Sequence, residues 1–165
     1  NSKLYAPVLV LDFHEDTEIP GAYVYSQGEK GASDTIAKEI LSILKKNKFP
    51  IPADEDTRVE EPIIKGIISN VHDGSIDELL SSKKIIKNNE IIKGPSAKSV
   101  IVVETPVTGV LLEKRIKAHS SIIRSIREFF DVEVFDKPHT LVRGTLRASK
   151  SPNKQTQSLF DRKFS

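Results

Sequence analysis

No cysteine occurs among the 165 residues. That excludes disulfides and thiolate metal sites, so any metal must be held by imidazole and carboxylate groups, a donor set that suits zinc and its neighbours. Methionine is missing too, even at position 1, so Asn1 is not expected to be a translation start. The chain is read as processed or as part of something longer. No apolar run approaches the length needed to cross a bilayer, and no secretory signal opens the chain. Charge of neither sign dominates: 25 basic groups face 23 acidic ones, a formal net charge of +2, which gives no electrostatic reason to expect nucleic acid or an anionic membrane as a partner. What is present, 38% hydrophobic and 29% charged residues, suits a soluble globular chain with one domain and a substantial core. Composition leaves the compartment open, with the cytoplasm as the default.

The chain is organised around Pro7-Val8-Leu9-Val10-Leu11-Asp12-Phe13-His14-Glu15-Asp16. Its apolar residues show no clean alternation, the pattern of a strand covered on both faces by helices. The polar residues begin where that strand would end, the place where open α/β sheets bind their ligands. A period of two puts Asp12 and His14 on one face. His14 is therefore a candidate site residue, against the plainer reading of a histidine leaving the core into a turn.

Pro20-Gly21 marks a turn and residues 22–25 a short extended segment. Ser33 or Asp34 can cap a helix to about Asn47, with Ile36, Ile40 and Leu44 on its apolar stripe. Residues 54–61 read as a solvated acidic loop, and residues 62–69 as one strand with Gly66 at a bulge. A short helix near residues 76–80 and a hairpin with Asn88-Asn89 at its turn follow. A second β-branched run, Ser99-Val100-Ile101-Val102-Val103-Glu104-Thr105-Pro106, again ends in a carboxylate. After it a helix is expected over 110–129 with Leu112, Ile116, Ile123, Ile126 and Phe130 inward, then a strand at 131–135 and another strand or an arm at 141–146.

If both long strands lie in one parallel sheet, His14 and Glu104 face the same crevice. An imidazole there can hold a metal while the carboxylate takes a proton from metal-bound water, whose pKa a zinc ion lowers to roughly 7. Asp12 would orient His14, since metal-bound imidazoles usually donate their second N–H to an acceptor. Capping the next helix, or pairing with a cation, is the competing role for Glu104. Of the other histidines, His72 reads as a solvated turn residue, His119 as a packed residue with one hydrogen bond and His139 as a surface loop residue.

Leu9 to Asp16, followed by Tyr23-Val24-Tyr25-Ser26-Gln27, resembles the segment of the zinc carboxypeptidases that carries their third metal ligand. Val100 to Pro106, with Leu112-Glu113-Lys114-Arg115-Ile116-Lys117-Ala118-His119, is similar to the strand and helix that carry that family's catalytic glutamate. The resemblance spans residues 4–135, and the succinylglutamate desuccinylase and aspartoacylase branch shares the framework. It implies a three-layer α/β/α fold with a mixed, mainly parallel sheet, incomplete at its N-terminus. It also implies Zn2+ as cofactor, His14 as a zinc ligand, Glu104 as general base, and Glu15, Tyr23 and Tyr25 along the substrate cleft. Residues 1–146 would be the C-terminal portion of that domain and residues 147–165 a polar basic tail.

The activity implied is hydrolysis of a terminal amide of a peptide. The alternatives are a deacylase of N-acyl amino acids and a noncatalytic relative that binds a peptide or partner. Two departures matter. None of the histidines at 14, 72, 119 and 139 is followed by glutamate three residues on, so the family's His-x-x-Glu zinc pair is not in this chain: either it lies in a missing N-terminal part, the preferred explanation, or this is a degenerate member that no longer binds zinc. No tyrosine follows Tyr25, which leaves the carboxypeptidases' tyrosine role unfilled and gives some weight to the deacylase branch.

Overall fold

The computed structural model describes residues 7–135. Its centre is β8 (Ser99–Pro106), buried along its whole length. The other strands of the six-stranded sheet are β1 (Leu9–Asp16), β2 (Tyr23–Gly28), β3 (Asp54–Asp56), β4 (Pro62–Ile64) and β5 (Ile67–Ser69), in the order β1-β8-β2-β5-β4-β3. The sheet is mixed. Its longest ladder, β1 on β8, is parallel, as is β2 on β5, while β2 runs antiparallel to β8 and the β3-β4-β5 meander is antiparallel.

Helices α1 (Thr35–Lys46), α3 (Leu112–Arg124) and α4 (Ile126–Phe135) cover one face, where Ile36, Ile40, Leu44, Ile122 and Phe129 meet Val24, Ile101 and Val103 in the main core. Fully burying each of these large side chains contributes about 1.5–3 kcal/mol. The opposite face carries a smaller cluster of Tyr23, Ile63 and Ile68. Helix α2 (Ile76–Ser81) packs against β2 and β8, and β6 (Lys84–Lys87) and β7 (Glu90–Lys93) form a separate hairpin. This is the α/β architecture with a mixed sheet that the sequence implies. Among the described residues no helix is long and apolar enough to cross a membrane.

Helix α1 begins where expected. The Asp34 carboxylate accepts the Ile36 and Ala37 N–H groups at 2.8 and 3.4 Å and also the Ser99 hydroxyl at 2.6 Å, so one buried side chain caps α1 and ties it to the root of β8.

Six expectations fail. β1 is not covered on both faces; among the described residues it is the sheet edge, and β8 takes the doubly buried place. Residues 62–69 are a hairpin, because Lys65 and Gly66 both adopt positive φ (52° and 80°), the backbone of a two-residue turn between twisted strands. Asp54–Asp56 adds an edge strand where a loop was expected, since backbone pairing with β4 needs nothing from the exposed acidic side chains. The chain over 110–129 is two helices meeting at Ser125, and 126–135 is helical, so the strand at 131–135 is absent. Finally, Arg115, Ala118, Ile122 and Phe129 face inward, leaving Leu112, Ile116, Ile123 and Phe130 exposed, while Ile126 of the expected stripe does pack against the core. Two apolar stripes compete on this helical run, and the one containing the small Ala118 permits the closer approach to the sheet. The strand or arm at 141–146, His139 and the tail lie outside the described residues.

Candidate active site

The parallel register of β1 on β8 sets His14 directly opposite Glu104, and the antiparallel register of β2 on β8 sets Tyr23 opposite Glu104 on its other side. Three side chains thus form a row across three strands at the carboxyl ends of β1 and β8. Asp12, two residues before His14 on the same face, completes the group. His14 Nδ1 lies 3.6 Å from Glu104 Oε1, and His14 Nε2 lies 3.1 Å from Asp12 Oδ2. His14 is half exposed and Glu104 is buried, so the pair spans the boundary between solvent and core.

Burial dominates the electrostatics. Desolvation, joined by the neighbouring carboxylates of Asp16 and Asp12, pushes the Glu104 carboxyl up to about 7 against the opposing attraction of His14. A group titrating there can both take and return a proton near neutrality. The Tyr23 phenol is raised well above its ordinary value, first by burial and then by its 2.9 Å hydrogen bond to Asp16 Oδ2. Tyr25 is raised for the same two reasons, its hydroxyl donating to Glu61 at 2.8 Å. Both tyrosines therefore stay neutral donors on the wall beside Glu104.

Glu15 stands apart from the other expected cleft residues. Alternation turns it to the helical face, where its carboxylate pairs with the buried Arg115 at 3.1 Å. On that face a second layer braces the row from behind. The Thr105 hydroxyl donates to the His14 carbonyl at 3.4 Å and meets His119 Nε2 at 3.1 Å, while the His119 ring packs on Phe13 at 5.0 Å. Burial lowers the His119 pKa, with Arg115 adding to it and Glu15 opposing, so this imidazole is held neutral. The sequence reading of His119 as a packed residue with one hydrogen bond describes this contact.

Two contributors stand outside the site residues expected from the sequence. The Asp16 carboxylate accepts the Glu18 and Ile19 N–H groups as well as the Tyr23 hydroxyl, closing the turn below the row. The period that joins Asp12 to His14 also reaches Asp16 and was the available signal. Glu61 gave none, because its partner Tyr25 is 36 positions away. His72 is exposed in its turn as expected, 3.0 Å from Glu78.

The donor chemistry near His14 suits a divalent metal, but the set is incomplete. Among the described residues no three histidine or acidic side chains converge on one point, so these residues do not by themselves make a zinc centre.

No protein-family model matches the chain, and no curated protein matches it either. Solved structures do. A "putative metallopeptidase" from Shewanella amazonensis superposes with a TM-score of 0.58 at 25% identity, over 73% of this chain and 40% of its own. One described the same way from Shewanella baltica gives 0.59 at 23% identity, over 77% and 41%. A third, from Shewanella denitrificans, gives 0.54 at 24%, over 69% and 37%. The chain thus spans about two fifths of the length of each of these proteins and has a metallopeptidase-like fold.

Proposed function

We propose that this chain carries the general base and one metal ligand of a zinc-dependent hydrolase that cleaves a terminal amide bond of a peptide, in the manner of the metallocarboxypeptidases. The observation that carries the reading is the register of β1 on β8, which brings an exposed imidazole and a buried, nearly neutral-titrating carboxyl within 3.6 Å at the strand ends.

In this reading His14 furnishes one zinc ligand, and the others come from outside residues 7–135. Asp12 accepts from the far nitrogen of the imidazole and fixes its orientation. Glu104 is the proton carrier: it is a carboxylate above about pH 7 and an acid below, buried enough that the proton it takes is readily returned to a leaving amine. The neutral hydroxyls of Tyr23 and Tyr25 form the wall of the cleft. One specific observation favours the second reading, a deacylase of N-acyl amino acids: no tyrosine follows Tyr25.

The test combines metal content with two substrate classes. Zinc per chain is measured on the purified 165-residue chain and on His14→Ala, with intact mass on the same sample. Peptides with a free C-terminus are then offered beside N-acyl amino acids to a form with a completed metal site. Zinc that is lost with His14, together with peptide cleavage that is lost in Glu104→Gln, supports the proposal. Cleavage of the acyl amino acids alone selects the deacylase, and cleavage of neither overturns both.

A further inference from the structure

Away from the strand-end row, one cavity gathers four lysines. It is an open hollow of about 390 Å3 between the end of α1 and the start of α3, lined by Lys46, Asn47, Lys48, Leu111, Glu113, Lys114 and Lys117. Four ammonium groups face one carboxylate there, in a chain whose total charge is only +2. Among the described residues none of the four makes an ion pair.

Two of these lysines are held in place. Lys114 Nζ donates to the Lys48 carbonyl at 2.8 Å and sits 4.5 Å over the Phe49 ring. Lys48 adopts a left-handed φ of 62° where α1 ends, its N–H bonded to the Lys45 carbonyl at 2.9 Å and the next N–H, of Phe49, to the Leu44 carbonyl at 3.1 Å. That pattern closes helices and ordinarily takes glycine, because a side chain strains it. Here the position holds a lysine that is one of the cavity's lining residues. Helix α3 begins at the same place with no side-chain cap at Leu111, so its first N–H groups add partial positive charge.

We propose that this cavity binds a compact, multiply charged oxyanion of the phosphate-ester class. Lysine ammoniums act as compact point charges, and four of them around one carboxylate favour a small ligand that carries several negative charges. The volume fits a small molecule. The site stands independently of the hydrolase reading, since none of its residues belongs to the His14–Glu104 row.

The test is calorimetric titration of the whole 165-residue chain with pyrophosphate, at about 50 mM and about 300 mM salt, because ammonium–phosphate attraction is screened. The expected result is binding that weakens severalfold at the higher salt and at least tenfold in Lys46→Gln/Lys117→Gln, and that is unchanged in Lys84→Gln/Lys93→Gln on the β6–β7 hairpin. A triglutamate peptide should bind at least tenfold more weakly than pyrophosphate. Lys48→Gly separates a ligand role from a structural one: it should raise the melting temperature by relieving the backbone while lowering pyrophosphate affinity. No binding, equal loss in the hairpin variant, triglutamate binding as tight as pyrophosphate, or unchanged affinity in Lys48→Gly would overturn the proposal.

Discussion

Replacing Glu104 by glutamine should stabilise the fold while removing the proposed activity, and the gain should appear only as pH rises. In the folded chain the carboxyl is raised from 4.5 to about 7, chiefly by burial. A carboxylic acid held above its unfolded value binds its proton more tightly when folded, so stability falls as pH climbs from about 4.5 to about 7 and levels off above. At about 1.4 kcal/mol for each factor of ten in proton affinity, the ionised carboxylate costs up to about 3 kcal/mol. Glutamine has nearly the same shape and cannot ionise. Urea unfolding at pH 4.5 should therefore show the two proteins within about 0.5 kcal/mol of each other, and at pH 8 Glu104→Gln should be more stable by about 1–3 kcal/mol. A difference that is the same at both pH values, or a variant less stable at pH 8, would refute the argument that burial of this carboxylate is the main term.

Asp34→Ala removes the cap of α1 and leaves the buried Ser99 hydroxyl without its acceptor; denaturant unfolding should show a loss of about 1–3 kcal/mol, with Asp34→Asn losing less because an amide oxygen can still accept the Ile36 N–H. Phe129→Ala empties a fully buried site and should cost about 3–5 kcal/mol, whereas Ile123→Ala, on the exposed side of the same helical run, should stay within about 0.5 kcal/mol; equal effects would mean the helices pack on the other stripe. Thr105→Val deletes the hydroxyl between His119 and the His14 carbonyl, and a stability loss of about 1–3 kcal/mol is expected from the unsatisfied His119 nitrogen.

The parts of the fold legible in the sequence are those where local chemistry and burial agree. The Asp34 cap, the stripe of α1, the Asn88-Asn89 turn and the β-branched run of β8 each carry a signal within a few residues. The placement of β1 carries none. An apolar run ending in His14 reads the same at the centre of a sheet or at its edge, because neighbouring strands are chosen by tertiary pairing. The helix after β8 failed for a related reason: its sequence offers two stripes, and only the partner surface decides which faces inward. At the site, the period of two fixed Asp12 beside His14, and that same alternation took Glu15 to the opposite face to meet Arg115. The facing of His14 and Glu104 followed from assuming that their strands pair in parallel, an assumption that local sequence cannot supply.

The pairing of β1 with β8 also has a kinetic side. The Thr105 to His14 bond joins residues 91 positions apart, and closing a loop of that length costs about 4 kcal/mol of chain entropy before any contact offsets it. Neither strand can find the other until the long intervening segment has become compact, so assembly of this row should belong to the late, slow part of folding. A probe at His14 would then report completion of this sheet, and a nascent chain would acquire the row only after Thr105 had emerged.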